Sequence, residues 1–125
     1  MFPNDRRYTK EHEWVQPAAG VATVGVTDFA QHELGDIVYV ELPEIGRAVE
    51  SGEVLGTIES VKAVSEIYAP VSGTITEVNT LLSDKPETIN QDAHGAGWIC
   101  KLKLVQLSEL DELMDAAAYG KLAGG

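Results

Sequence analysis

Lys62 is the residue whose type and position in this chain most favour chemistry. It lies between two apolar segments, residues 54–58 and 64–68, whose composition is typical of β-strands. The few small residues between them predict a β-hairpin with Lys62 at or near its tip. With the acidic residue Glu59 three positions before it, such a lysine is open to a modifying enzyme. Most lysines at hairpin tips are only solvated, so both interpretations stand at this point.

Other residue types that support catalysis are scattered. The histidines His12, His32 and His94 are far apart and lack a metal-binding spacing, so we expect them at the surface. Cys100 lies on the apolar side of a strand pattern, which predicts a small core residue rather than a nucleophile. The serines lack a nucleophile-elbow context, and the dispersed glycines form no phosphate-binding loop. The sequence therefore predicts no catalytic residue, no metal site and no enzymatic activity. A carrier needs none of these, only a stiff scaffold and one exposed attachment point.

Further strands must hold the hairpin in place. Besides the two strands of the hairpin, strand patterns occupy residues 8–15, 21–26, 36–42, 74–78 and 98–104. We expect residues 8–15 to form an edge strand anchored by Trp14.

Two helices are predicted beside the strands. Thr27 or Asp28 can cap a short helix near 28–34, which Gly35 would end. A C-terminal helix is expected near 108–119. Its signals are the spacing of Leu110, Leu113, Met114 and Ala117, the capping-box form of Ser108 and Asp111, and Gly120 at its end. Residues 79–97 predict a polar connection with one short helical turn.

These elements predict a mostly β fold, a flattened hybrid barrel-sandwich of two antiparallel sheets with pseudo-twofold symmetry. The symmetry rests on a faint internal repeat, in which Gly35, Ile37 and Val40 correspond to Gly73, Ile75 and Val78. The length of 125 residues predicts a single domain, 1–125, with a core at about 8–119 and flexible ends.

Composition narrows the function classes. The formal net charge of -11 disfavours nucleic acid and anionic membranes as partners and suits proteins with basic patches. No apolar segment approaches the ~20 residues of a membrane span. The N-terminus has no signal-peptide or targeting pattern, which favours the cytoplasm, or the mitochondrial matrix if a transit peptide has been removed. A single cysteine permits a reducing compartment.

Several short motifs occur in an order and spacing that is specific when they are taken together. They are His12-Glu13-Trp14, Gly25-Val26-Thr27 leading to Ala30-Gln31, Leu34-Gly35-Asp36, Val40-Glu41-Leu42-Pro43, Glu59-Ser60-Val61-Lys62-Ala63, Ala69-Pro70-Val71-Ser72-Gly73, Asn90, Gly97-Trp98 and the segment 108–119. On these residues the chain resembles the family of lipoate-bearing H proteins of glycine cleavage systems, from Tyr8 to about Tyr119.

The resemblance implies that Lys62 carries lipoate in amide linkage, within a recognition context of Glu59, Ser60, Val61 and Ala63. It implies a non-catalytic carrier of the aminomethyl group derived from glycine. Glycine decarboxylase (the P protein) would load the lipoyl arm, and aminomethyltransferase (the T protein) would unload it. Dihydrolipoyl dehydrogenase (the L protein) would reoxidise the arm, and a lipoate-attaching enzyme would install it.

The resemblance also implies an acidic cleft that shelters the loaded arm, which ends in a cationic amine. Glu13 lies in the matching His-Glu-Trp motif and is the first candidate for this cleft. Glu11 and Glu66 are further candidates, at positions where related chains can carry other polar residues. For each of the three, a plain solvated carboxylate is the alternative.

Other carriers remain as alternatives. Lipoyl domains of 2-oxoacid dehydrogenases usually have Asp-Lys-Ala at the tip and lack the C-terminal helix. Biotin carriers are normally marked by Met-Lys-Met, whereas Val61 and Ala63 flank the lysine here. An interaction module with an unmodified lysine, or a protein that relays lipoate to other enzymes, is a third possibility.

Overall fold

The computed structural model describes residues 2–123, which form two antiparallel β-sheets and a few short helices. The strands are β1 (Arg7–Tyr8), β2 (Glu13–Ala18), β3 (Val21–Val26), β4 (Ile37–Glu41), β5 (Ala48–Val49), β6 (Val54–Ser60), β7 (Val64–Tyr68), β8 (Gly73–Val78) and β9 (Cys100–Leu104). The α-helices are α1 (Asp28–Leu34), α2 (Leu81–Asp84), α3 (Thr88–Gln91) and α4 (Ala116–Leu122), and a 3₁₀ helix spans Leu107–Glu112. The predicted mostly β fold is confirmed. None of the helices in the described range has the length and apolarity to cross a bilayer.

The two sheets differ in size. The larger has the strand order β1-β2-β3-β9-β8-β5, and the smaller has the order β4-β6-β7. The sheets are open rather than closed into a barrel, and the pseudo-twofold symmetry stays a prediction. Residues 8–15 were expected to form an edge strand, and this expectation is wrong for Trp14. Trp14 lies in β2, which pairs with both β1 and β3, so the two-residue β1 is the strand at that edge of the larger sheet.

The first helix forms as its local signals predict. The Thr27 hydroxyl accepts a hydrogen bond from the backbone N–H of Ala30 at 3.1 Å, which satisfies one of the unpaired donors at the helix start. Gly35 ends the helix with φ +80°, a conformation that glycine adopts without steric cost. The chain therefore passes from α1 into β4, which pairs with the hairpin strand β6.

Apolar side chains from both sheets meet in one core, which includes Val24, Cys100 and Leu102 from the larger sheet and Ile58 and Ile67 from the smaller. The expected core position of Cys100 is confirmed, and burial raises the pKa of its thiol to about 12.

A second apolar cluster joins the N- and C-terminal segments. The rings of Tyr8 and Tyr119 stack with their centroids 4.8 Å apart, and Trp14 completes the cluster. The indole N–H of Trp14 donates to the carbonyl of Ala93 at 3.1 Å. This cluster fixes α4 against β1.

The predicted continuous helix near 108–119 is wrong. The chain forms the 3₁₀ helix and α4 instead, and the backbone between them is extended at Leu113. Met114 exchanges two backbone hydrogen bonds with Tyr8, at 2.8 and 2.9 Å, which a helical Met114 could not make. Asp115 then caps α4, so the Ser108 capping box is not formed, and α4 runs through Gly120 to Leu122. The chain was expected to be flexible from Lys121 onward, and residues 124 and 125 of that segment lie outside the described range.

Two smaller expectations are also corrected. The connection at 79–97 contains two short helices, α2 and α3, rather than one turn. Only His32 is an exposed histidine. His94 is half-buried and accepts a hydrogen bond from the backbone N–H of Asp28, and His12 Nδ1 lies 2.7 Å from the buried Tyr119 hydroxyl.

Candidate functional site

Lys62 lies at the tip of the β6–β7 hairpin, as the sequence predicts. Glu59 pairs with Val64 as the last residue pair before the turn, and Lys62 is exposed at its centre. Within the described residues, the only salt bridges join Arg6 to Asp5 and Lys101 to Glu77. The Lys62 ammonium therefore has no carboxylate within 4.0 Å, and its side chain is free to be presented to another molecule.

Ser60 fixes the shape of this turn. Its hydroxyl accepts from the backbone N–H groups of Lys62 and Ala63, at 3.3 and 3.1 Å, and donates to the Ala63 carbonyl at 3.2 Å. The Ser60 N–H also donates to that carbonyl, at 2.8 Å. A hydroxyl has one donor and two lone pairs, so all its hydrogen-bonding capacity is used. The sequence marked Ser60 only as part of the lysine's context, whereas the structure shows it as the central residue of the turn.

A second set of hydrogen bonds connects the turn to the segments that pack beside it. The Val61 N–H donates to the Asp36 carbonyl at 3.0 Å, which ties the tip to the α1–β4 connection. Asn90 on α3 clamps that connection, because its amide donates to the Gly35 carbonyl and accepts from the Ile37 N–H, each at 2.9 Å. A Cβ on Gly35 would lie 3.6 Å from the Lys62 Cε, so the lysine stem rests beside this glycine.

A cavity of about 550 Å³ opens at the other end of β7. Three segments line it: Tyr8–Lys10 with Glu11 and Glu13; Ser51, Gly52 and Tyr68–Pro70; and Glu112–Met114 with Leu122. Three carboxylates, Glu11, Glu13 and Glu112, and one ammonium, Lys10, are among the lining side chains. The cavity is therefore largely apolar with an acidic bias.

Glu13 is the buried carboxylate of this cavity, with 2% of its surface exposed. One oxygen accepts from the Thr9 hydroxyl at 2.7 Å, and the other accepts from the Tyr68 N–H at 3.0 Å. Burial raises the pKa of Glu13, and these two hydrogen bonds oppose that rise. Each oxygen retains a lone pair, so the carboxylate could accept a further donor.

Tyr68 connects the candidate carboxylates. Its backbone N–H binds Glu13, and its hydroxyl donates to Glu66 at 3.1 Å. That bond to the Glu66 carboxylate raises the pKa of the Tyr68 phenol. Glu66 itself is exposed on the outer face of β7 and does not line the cavity, whereas Glu11 lies exposed at the rim.

Neither Lys62 nor its turn lines the cavity. Val64 and Tyr68 are four residues apart on β7, about 13 Å at ~3.3 Å per residue. The structure thus places the lysine and the acidic cavity near opposite ends of one strand, with Glu66 between them.

Several residues of this region were missed by sequence reasoning. Tyr68 alternates with Val64 and Glu66 on one side of β7, so strand periodicity could have found it. Leu113, Met114 and Leu122 form the C-terminal wall of the cavity, and no local pattern connects them to Glu13. In the described part of the chain, no group of three or more His, Cys, Asp or Glu side chains is arranged to hold a metal ion.

Comparison with known proteins gives consistent matches. Residues 6–124 match the model of the family described as glycine cleavage H-protein. The chain is 56% identical over 118 residues to the glycine cleavage system H protein of Thermus thermophilus, covering 94% of this chain and 92% of that protein. It is 55% identical over 125 residues to the one of Chlorobium phaeovibrioides, covering 98% of each. Its structure is similar to the crystal structure of a glycine cleavage system H protein from Mycobacterium marinum, with a TM-score of 0.90 and 43% identity over 99% of this chain and 100% of that one.

Proposed function

The chain belongs to the glycine cleavage H-protein family, and we propose on that premise that it is the lipoylated carrier of a glycine cleavage system, with lipoate attached to Lys62. The observation that carries the proposal is the exposed lysine on a turn that Ser60 and Asp36 hold in one shape.

The residues at the tip fit such a group. Acylation of Lys62 would form an amide at Nζ, with loss of a proton from the amine and of the leaving group from the activated lipoyl carboxyl. The amide carries no charge, and an ammonium without a carboxylate partner gives up no ion pair on acylation. Because Ser60 and Asp36 bind only backbone groups of the turn, the modification leaves those hydrogen bonds intact.

When attached, lipoate supplies a dithiolane that accepts an aminomethyl group and later releases it. The protein itself presents the lipoyl arm and shelters the group that the arm carries. A lysine extended by an eight-carbon acyl chain is about 15 Å long from ordinary bond lengths. This length is comparable with the ~13 Å from Val64 to Tyr68. The hairpin therefore sets where the arm starts, and β7 leads from that point to the acidic cavity.

We assign Glu13, Glu11 and Glu66 to the shelter for the cationic end of the loaded arm. Glu66 and Glu11 are exposed along the route, and Glu13 is buried at its end. A cation beside Glu13 would find a desolvated carboxylate, where charge-assisted hydrogen bonds are strong. The apolar walls around it, including Leu113 and Met114, would exclude the water that decomposes the cargo.

The shelter predicts a shorter lifetime for the cargo in Glu13→Gln. The variant should accept lipoate normally, because Glu13 is remote from the tip, but it should lose the aminomethyl group roughly tenfold faster or more, since one charge-assisted hydrogen bond is lost. Release of formaldehyde and ammonia from the loaded protein measures this rate. Glu112→Gln, which removes an exposed lining carboxylate, is the control. Equal lifetimes for Glu13→Gln and the parent would refute the shelter.

As a family member the protein works with other components of a glycine cleavage system. We propose the P protein as the enzyme that loads the arm, the T protein as the one that unloads it, and the L protein as the one that reoxidises it. A separate enzyme attaches lipoate. The chain itself catalyses none of these steps, because Lys62 is an attachment point and Glu13 a binding group.

The attachment is tested by intact-mass measurement on protein from a lipoylating host, beside Lys62→Arg. We expect a lipoyl-sized increase in the parent that is absent in Lys62→Arg, since arginine keeps the charge and removes the acylable amine. A biotin-sized increase, or none at all, would overturn the proposal. Exchange of bicarbonate with the glycine carboxyl, catalysed by the P protein with the lipoylated chain, then tests the carrier role. Failure of exchange with fully lipoylated protein would indicate a lipoate relay or another lipoyl domain.

A further inference from the structure

Exposed apolar side chains are concentrated around Lys62. Val38, Tyr39, Val61 and Val64 have 50%, 54%, 68% and 66% of their surfaces exposed. Val61 is beside the lysine in the turn, and Val64 begins β7. Val38 and Tyr39 are on β4, more than twenty positions earlier in the sequence, and no motif at the hairpin points to them.

A β-bulge brings the β4 residues to this surface. Ile37 pairs with Ser60 and Tyr39 pairs with Glu59, so Val38 is an extra residue in the strand. Both Val38 and Tyr39 are consequently exposed, whereas regular alternation would turn one of them inward. Bulges of this kind commonly redirect side chains next to functional sites.

Strand register places these residues on one face. Tyr39, Glu59 and Val64 are paired across the three strands, so their side chains form one row on the outer side of the smaller sheet. We call this row, together with Val38 and Val61, the tip face. The next row is Glu41, Thr57 and Glu66, which gives the tip face an acidic border.

The charges of this surface are unbalanced. Among the described residues, no cationic side chain lies within 4.0 Å of Glu41, Glu59 or Glu66. An apolar centre with unpaired carboxylates at its border fits a protein surface that has an apolar centre and basic side chains around it.

We propose that the tip face is the docking surface of the lipoate-attaching enzyme, and that Val38 and Tyr39 belong to it. This inference rests on the proposed attachment at Lys62. That enzyme must bring Nζ itself into its active site, so its surface must cover the turn and the residues beside it. Enzymes that act on the far end of the arm work about 15 Å away and have no such requirement. Docking gains affinity from burial of the apolar side chains of the tip face, and Glu59 contributes steering through its charge.

The test uses the full-length chain without lipoate, a lipoate–protein ligase, lipoate and ATP, and follows modification by intact mass. We expect Val38→Thr/Tyr39→Thr to raise KM for the protein substrate about tenfold or more with kcat within about twofold, because threonine keeps strand propensity and removes apolar contact. The matched control is Ile45→Thr/Val105→Thr, which changes two exposed apolar residues outside the tip face and should match the parent. Glu59→Gln should lower kcat/KM at low salt and weaken its salt dependence.

Several outcomes would contradict this docking surface. A parental KM for Val38→Thr/Tyr39→Thr, or an equal rise in the control, would overturn it. If the β4 variant fails to fold, Val64→Thr on the opposite strand supplies the same test. Pre-lipoylated Val38→Thr/Tyr39→Thr should exchange glycine with the P protein at the parental rate, and a matching loss there would reassign the surface to that enzyme. A parent that takes no lipoate at Lys62 would instead refute the proposed function.

Discussion

Asn90 is the residue through which the body of the protein holds the lysine turn, and its removal gives a sharp prediction. The side chain makes three hydrogen bonds at 2.9 Å, to the Ile37 N–H, the Gly35 carbonyl and the Gln31 side chain. In Asn90→Ala the buried Ile37 N–H loses its partner, while the half-exposed Gly35 carbonyl and Gln31 can turn to water.

The expected loss of stability follows from whether each of these groups is buried or can reach water. An orphaned buried N–H costs about 1–3 kcal/mol, and the two bonds that water replaces add less, so we expect about 2 kcal/mol in the free energy of unfolding. For a chain of this size the loss corresponds to a fall in Tm of roughly 6–10 °C. Urea denaturation followed by tryptophan fluorescence measures the change.

The structural role has a second, local readout. The Val61 N–H donates to the Asp36 carbonyl, which lies in the connection that Asn90 clamps. Amide hydrogen exchange at Val61 should therefore accelerate in Asn90→Ala by more than the loss of global stability explains.

Asn79→Ala is the matched control. Asn79 is buried and donates two hydrogen bonds, to the carbonyls of Ala96 and Trp98 at 2.8 and 2.7 Å, in the connection before β9. It should cost similar stability without loosening Val61. An Asn90→Ala variant as stable as the parent, or equal changes of Val61 exchange in the two variants, would contradict this role of Asn90.

Two further predictions concern the buried side chains. Burial raises the pKa of Glu13 above its ordinary 4.5, so the folded state keeps that proton to higher pH than the unfolded state. The stability contribution is complete below the unfolded pKa and is lost as pH rises through the folded one. The unfolding free energy of the parent minus that of Glu13→Gln should therefore fall as pH rises above the ordinary 4.5, and a rise would contradict the assignment. A Cβ at Gly25 would lie 2.5 Å from Cζ2 of the buried Trp14, so Gly25→Ala should cost about 1–3 kcal/mol or more in urea unfolding. A Cβ at Gly120 in α4 would meet only Phe2, at 4.0 Å, so Gly120→Ala should instead stabilise the protein by about 0.5–1 kcal/mol. A destabilised Gly120→Ala or an unaffected Gly25→Ala would count against this packing.

The parts of the molecule that depend on near neighbours in the chain could be predicted from the sequence alone. The Lys62 hairpin follows from two apolar strands and a short link, and α1 follows from Thr27 at its start and Gly35 at its end. These features need contacts only within a few residues, so composition and spacing encode them. The family motifs, taken together, also pointed to a lipoate carrier, which no single segment could do.

The surroundings of the lysine depend on contacts between segments that are distant in the sequence. Met114 pairs with Tyr8, more than a hundred positions away, and that pairing divides the predicted C-terminal helix in two. Glu13 is buried and accepts a hydrogen bond from the N–H of Tyr68 at the end of the hairpin, and the bulge at Val38 exists only in register with β6. A side chain's burial and partners depend on which distant segments fold over it, and local periodicity has no information on that packing. The sequence predicted Lys62 as the attachment point, and the fold determined the surfaces that surround this lysine.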